Sequence, residues 1–450
     1  MKKKMKIGLL GLYIKLYDDL LPERRAAFEE FLESIAAEYE ARGLEVVRCP
    51  VARIKPEFEE AVHRFEAEGA EAIVTLHLAY SPSLESINAL AATRLPLVVL
   101  DTTPDAEFGY DDIDKLMMNH GIHGVQDMCN LLIRRDRAFL IRAGHWRESD
   151  VLDRSVEALK AAVMAHKIST ARVGSVGGEF KGMGDFQVPP GTFGMTIVPF
   201  REAGAVGEDE IAAEAALDKE RFIHGTYSPE AYRRTLIESL KLRHWVECEK
   251  LDAFTICFPG IERGAGWQTV PFLEASKAMA RGIGYAGEGD VLTAALTAAL
   301  NRVFSEVSFG EMFCPDWTGN RIFLSHMGEL NIALTHGKPL LYESNYRFSD
   351  THAPVQATGC FKAGSAWLID LAPLAHGFRL IVAPVELEAP ARPSQEGNQG
   401  WFTPPLDVAD FLAEYSRLGG THHLAVAYDA EPGLLHDFAH LMGWDFRIIG

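Results

Sequence analysis

Short runs of β-branched and apolar residues alternate with amphipathic helical patterns through the first two thirds of the chain, and no other feature restricts the fold as tightly. Lys6–Leu12, Ala72–Leu78 (AIVTLHL), Leu95–Leu100 (LPLVVL) and Ala138–Ala143 read as strands, and Val46-Val47 begins another. Their composition is that of parallel strands buried on both faces. Glu23–Arg42, which stops at Gly43, and Pro56–Glu68 carry apolar residues at helical spacing. The pattern then repeats. Arg172–Val176, Met195–Val198 and Ala253–Phe258 read as strands, and Ala212–Glu220, Pro229–Glu249 and Pro271–Arg281 as helices.

Alternation of this kind predicts an α/β fold with two doubly wound, Rossmann-like domains. From about Ile322 onward strands dominate, as in Ala366–Leu371 and Phe378–Pro384, which predicts a mainly β C-terminal domain. The Pro-, Gly- and Gln-rich stretch Ala389–Pro405 reads as a long exposed loop. The expected domains are residues 1–165, 166–305 and 306–450.

Composition narrows the function. A formal charge of -19 argues against a general nucleic-acid binder, because phosphate contacts need a basic face. The six cysteines are scattered with no C-x-x-C pair, so they read as reduced thiols of a cytoplasmic protein. The start, Lys2-Lys3-Lys4 followed by Ile7–Leu16, imitates a signal peptide. Lys15 interrupts its apolar run and no small-residue cleavage site follows, so a first β-strand is expected instead. No run approaches the roughly 20 apolar residues of a membrane span.

Residues able to carry chemistry cluster in the C-terminal half. GIGYAGEGD (Gly282–Asp290) puts Glu288 in a glycine-rich turn after a helix. SFGEMF (Ser308–Phe313) sets Glu311 between aromatics, LSHMGE (Leu324–Glu329) holds His326, and GGTHHL (Gly419–Leu424) holds His422 and His423. Two carboxylates with one or two imidazoles suit a divalent metal such as Mn²⁺ and leave positions open for neighbouring sugar oxygens. Singly, each residue has an ordinary structural reading: a turn carboxylate, or a satisfied core histidine. Gly282, Gly284 and Gly287 also spell G-x-G-x-x-G, but a helical pattern, Glu274–Arg281, precedes them where a dinucleotide fingerprint needs a strand.

Taken together, these segments resemble the L-arabinose isomerases of the L-arabinose/L-fucose isomerase superfamily. GYAGEGD resembles that family's GxGxEGD, SFGEMF its SFMEDY, LSHMGE its G-x-HMLE and GGTHH its GGAHH, in the same order and at similar spacing. Upstream, Met118–Gly124 (MNHGIHG) resembles its MN…HG segment, Gly144-His145-Trp146 its GHW, and Leu76–Pro82 (LHLAYSP) its MHTFSP. The resemblance implies that Glu288, Glu311, His326 and His423 hold the metal and that His422 lies beside the substrate. It also implies three domains and a homo-oligomer, a trimer or hexamer, with the active site at a subunit junction. The chain departs from the family pattern at Gly177–Val188 (GGEFKGMGDFQV) and at Gly11–Tyr17, where a family glutamine is missing. Both segments are expected to face the sugar.

The expected function is therefore a metal-dependent aldose–ketose isomerase acting on a pentose, hexose or deoxy sugar through an enediolate. Glu288 and Glu311 jointly move the protons. His123 and Asp185 are further candidate sugar contacts, with His77, Trp267 and Phe309 as weaker ones. Glu329, three residues after His326, is a candidate to orient that imidazole. The competing readings are a metal-dependent lyase or epimerase on a related sugar or sugar acid, and a non-enzymatic sugar-binding protein.

Overall fold

The structure, a computed structural model, describes residues 3–389 and 400–450, and all element counts refer to these. The chain divides into two compact units: Met1–Lys167 with Gly433–Gly443, and Ile168–Pro432 with Trp444–Gly450.

The first unit is built on five parallel strands: β1 (Lys6–Leu12), β2 (Glu45–Arg48), β3 (Ala72–His77), β4 (Leu97–Asp101) and β5 (Leu140–Ala143). They lie in the order β2-β1-β3-β4-β5. β3 is buried along its whole length, as a central parallel strand covered on both faces must be. Helices Arg25–Ala41 and Lys55–Ala67 supply apolar stripes such as Phe58, Ala61, Val62 and Phe65. Gly8 is bare because the Phe65 ring lies 2.4 Å from where its Cβ would stand.

The second unit begins with another parallel sheet. Its strands are β6 (Arg172–Val176) and β7 (Thr196–Pro199), then, after the short β8 (Ile223–His224), β9 (Ala253–Ile256) and β10 (Gly284–Gly287). The order is β10-β9-β6-β7. Next come β11 (Val307–Asp316), β12 (Arg321–Ser325), β13 (Leu340–Glu343), β14 (Val355–Thr358), β15 (Gly364–Pro373), β16 (Phe378–Leu387), β17 (Gly400–Thr403), β18 (His423–Ala427) and β19 (Asp445–Ile448). Strands β15-β18-β11-β12-β17-β16 pair in sequence, and β16 pairs back to β15, so the antiparallel sheet closes into a barrel. Closure leaves no free edge in the ring. β19 joins β16 in parallel outside it, and β8, β13 and β14 form a small separate sheet. The fold is thus α/β, with two Rossmann-like sheets followed by a mainly β domain.

Two readings of the sequence need correction. Gly284–Gly287 is a strand, not part of a turn after a helix. Two glycines in four residues mask its β character, and Gly284 is required because a Cβ would meet the Ala294 carbonyl and Ala298 nitrogen at 2.6 Å. Within the expected loop Ala389–Pro405, residues 390–399 lie outside the described residues, but Gly400–Thr403 is the barrel strand β17. Residue 2 of the basic start is likewise outside them. Among the described residues no helix is long and apolar enough to cross a membrane.

Candidate functional site

The barrel register brings the first residues together. β11 lies between β12 and β18, with Glu311 opposite His423 on one side and opposite Ser325 on the other. His326 follows Ser325 directly. Side chains of directly opposed residues stand about 5 Å apart at Cβ. Glu311, His326 and His423 accordingly offer ligand atoms within 4.8 Å of one another.

Glu288 arrives from the parallel sheet. Its N–H donates to the Ile256 carbonyl at 2.8 Å, extending the β9–β10 ladder by one bond, and the backbone then turns through a left-handed φ of 61°. The Thr255 hydroxyl ties the turn down, donating to the Gly287 carbonyl (3.1 Å) and accepting from the Gly289 N–H (2.9 Å). The Glu288 carboxylate lies 3.5 Å from His423 Nε2 and 3.6 Å from His422 Nε2. Glu288, His422 and His423 form a second group with ligand atoms within 4.8 Å, and His423 is common to both.

Each imidazole is held from behind by a carboxylate. His326 Nδ1 donates to Glu329 at 2.7 Å, and Glu329 also accepts from the Tyr285 hydroxyl at 2.5 Å. His423 Nδ1 donates to Asp290 at 3.0 Å, and Asp290 caps the helix Val291–Val303 by accepting from the Thr293 N–H. His422 donates from both its backbone N–H and Nδ1 to Asp185, at 3.0 and 2.6 Å. These bonds fix the ring orientations, and for His326 and His423 they place the proton on Nδ1, so that Nε2 presents its lone pair forward. The Nε2 atoms of His326 and His423 are buried and have no hydrogen-bond partner. A buried ring nitrogen without a partner is costly unless something else binds it. That something fits a divalent cation: two carboxylates and two imidazoles form a mixed O/N donor set of the kind that binds one.

Electrostatics follow from this crowding. Burial works to raise Glu288, but the adjacent His422 and His423 imidazoles prevail and hold its carboxyl down at about 2. Burial also raises Glu311, and the more distant imidazoles do not bring it back, so its carboxyl sits above the usual range. Burial would lower His422, yet Asp185 and Glu288 hold it up at about 10. Phe309 packs edge-on against His326 (4.8 Å) and His423 (5.0 Å), and Phe186 stacks on His423 at 5.1 Å, so aromatic rings wall the imidazoles.

Glu288, Glu311, His326, His422, His423 and Asp185 are thus assembled in one place in the second unit. His123 belongs to the first unit, where it stacks on Tyr80 at 4.7 Å. His77, in the same unit, is buried with both ring nitrogens unpartnered, and burial drops it to about 3. Trp267 packs on Phe200 under the Lys241 ammonium, among residues other than these. Asp290 and Tyr285 were not singled out in the sequence. The D-V-L-T start of a helix announced Asp290 as a cap, but nothing local announced a partner 133 positions away.

Comparison with known proteins gives three matches that follow one another along the chain. Residues 19–170 match the model of the L-arabinose isomerase N-terminal domain, 209–306 that of the central domain and 306–445 that of the C-terminal domain. An L-arabinose isomerase of Halalkalibacterium halodurans is 26% identical over 82% of this chain and 78% of its own length. One from Shewanella sp. (strain MR-7) is 24% identical over 96% and 91%, and one from Thermotoga neapolitana 24% over 90% and 86%. Among solved structures, the capsular polysaccharide assembling protein CapF of Staphylococcus aureus aligns over 94% of each chain at 11% identity, with a TM-score of 0.19 that carries no argument.

Proposed function

We infer that this chain, which belongs to the L-arabinose isomerase family, is a divalent-metal-dependent sugar isomerase that interconverts an open-chain aldose and its ketose. The observation that carries the reading is the convergence of Glu288, Glu311, His326 and His423 with two buried, unpartnered Nε2 atoms facing the carboxylates. These four residues would hold the ion, for which Mn²⁺ is our assignment. When bound, the ion supplies electrophilic activation of the sugar carbonyl and its neighbouring hydroxyl.

The chain's own groups do the rest. Aldose–ketose exchange moves a proton between adjacent carbons, and it needs a base on one side and a donor on the other. Glu288 is ionised and Glu311 holds its proton more tightly, so the two carboxyls offer different proton affinities within one site. His422, kept cationic by Asp185, is placed to donate to a sugar oxygen. The rings of Phe186 and Phe309 help to keep water from the imidazoles.

The same reading divides the chain at about residues 165 and 305 into two α/β domains and the barrel. It assigns His123 and Asp185 to sugar contact and positioning, and takes the working form to be a homo-oligomer, trimeric or hexameric. It places the protein in the cytoplasm, where the six free thiols stay reduced.

The test is turnover of the purified protein with Mn²⁺ on a panel of pentoses, hexoses and deoxy sugars, with aldose and ketose separated by chromatography. Interconversion of one pair, abolished by EDTA, is expected. A metal-loaded protein that interconverts nothing would overturn the isomerase reading in favour of a lyase or epimerase on an oxidised sugar.

A further inference from the structure

The first unit carries a cavity of about 530 Å³ at the carboxyl end of its sheet. Cys49-Pro50-Val51, directly after β2, and Asp18, in the short helix Lys15–Leu20 that follows β1, are among the residues that line it. The volume falls within the roughly 300–1,000 Å³ of small-molecule sites, and open α/β sheets hold ligands off these strand ends. Every lining residue lies between Asp18 and Arg64, so the cavity is complete within the first unit, whereas the proposed metal ligands all belong to the second.

Asp18 draws two guanidiniums together at this cavity. It accepts from Arg25 Nη1 at 2.9 Å and from Arg53 Nη1 at 2.6 Å, and its side chain is 16% exposed. A second carboxylate, four residues further along, pins each arginine again. Arg25 Nε donates to Glu29 at 3.0 Å, and Arg53 grips Glu57 through Nε (3.1 Å) and Nη2 (2.6 Å). The Arg25 guanidinium also lies over the Tyr13 ring at 5.1 Å. Such bracing fixes the planes of both forks before any ligand arrives. A guanidinium offers five N–H donors, and Arg53 spends three on these acids. Two are left without an acceptor among the described residues, on a side chain that lines the cavity.

Charge selects the ligand class. Three arginines, Arg25, Arg53 and Arg64, line the cavity with four acids, Asp18, Glu29, Glu57 and Glu60. A strongly charged ligand of either sign meets its own sign there. A hydroxyl both donates and accepts, so a neutral ligand with several hydroxyls can serve carboxylates and guanidiniums together. Pro22, Pro50, Val51 and Ala61 add apolar wall for its C–H faces. We propose that this cavity binds a neutral, polyhydroxylated small molecule, a sugar in its ring form, at a site that shares no residue with the metal centre. The inference goes beyond the isomerase reading and does not depend on it.

The experiment titrates a panel of methyl pyranosides, with inorganic phosphate as the charged contrast, into the Mn²⁺-loaded full-length protein by calorimetry. A methyl glycoside is locked in its ring and cannot be isomerised, so binding is read without turnover. One or more glycosides are expected to bind saturably and more tightly than phosphate. Arg53→Met leaves Asp18 its bond to Arg25 and is expected to weaken that binding at least about tenfold. Glu60 is exposed, so Glu60→Trp fills the cavity without disturbing the core, and it is expected to weaken binding as much. Glu311→Gln, at the proposed metal centre, is expected to leave glycoside binding unchanged. No saturable glycoside binding, phosphate bound more tightly than every glycoside, binding that withstands Glu60→Trp or a folded Arg53→Met, or binding lost in Glu311→Gln would each overturn the assignment. Aldose–ketose turnover measured alongside bears only on the isomerase reading, so the two fail separately.

Discussion

Glu311 and His423 face each other across the β11–β18 ladder, so two groups separated by more than a hundred positions in sequence are held at the spacing of a single cross-strand pair. The ladder hydrogen bonds set that spacing before any ion arrives. Replacing Glu311 with Gln keeps the shape and removes the ionisable oxygen. Turnover of the Glu311→Gln protein is expected to fall about 10²–10⁴-fold, measured as ketose formed per unit time under saturating Mn²⁺. Near-normal turnover would remove Glu311 from the chemistry.

Glu329 accepts from both His326 Nδ1 and the Tyr285 hydroxyl. A glutamine there has one acceptor oxygen and must point an NH₂ at one of two donors. Glu329→Gln should therefore weaken Mn²⁺ binding by about 10–100-fold, read by calorimetric titration, while the far-ultraviolet dichroism stays unchanged.

Gly287 is bare because a Cβ would stand 2.4 Å from His326 Cε1 and 2.7 Å from its Nε2. Gly287→Ala pushes the imidazole off its line. The expected result is loss of bound Mn²⁺ by elemental analysis together with a stability decrease of about 1–3 kcal/mol. Full metal occupancy would show that the ring can move without leaving the ion.

Lys277 is buried between Glu214 and Asp218, both at 2.7 Å, and Arg243 bridges Glu214 to Glu274. Lys277→Met leaves two buried carboxylates short of a cation. The expected loss is about 3–5 kcal/mol in urea denaturation. An unchanged midpoint would mean that the arginines alone neutralise the network.

Asp370, on β15, accepts from the Thr421 N–H and hydroxyl at 3.0 and 2.8 Å. Burial pushes its carboxyl from 3.8 up to about 7, more than those bonds pull it back, with Asp290 adding to the rise. The folded protein thus holds this proton more tightly than the unfolded chain. Its contribution is complete below about pH 4 and is lost as pH rises through about 7. Asp370→Asn has no proton to lose. The Tm of wild type minus that of the variant is expected to decline steadily across this window, and a flat difference would contradict the shift.

The two parallel sheets were legible from their short runs of β-branched and apolar residues between helical patterns: Lys6–Leu12 in the first and Arg172–Val176 in the second have the bounds the sequence suggests. β10 was not, since glycines required by close packing hide its period, nor was β17, which sits beside a Pro/Gly/Gln tract. At the site, Glu288, Glu311, His326 and His423 could be picked out by residue type and motif resemblance, and Glu329 by its spacing from His326. Asp290 and Tyr285 could not, because their roles come from tertiary neighbours far away in sequence. Asp185 was singled out as a sugar contact, and the fold adds a pairing with His422 that the sequence did not announce.

The left-handed backbone at Glu288 sets two demands on one position against each other. Glycine takes that conformation freely, whereas a glutamate there gives up about 1–2 kcal/mol. A library sorted for thermal survival should drift toward glycine or asparagine at 288, and one sorted for sugar turnover should return to glutamate. The identity of that residue in any descendant of this chain would then record which of the two pressures it had lived under.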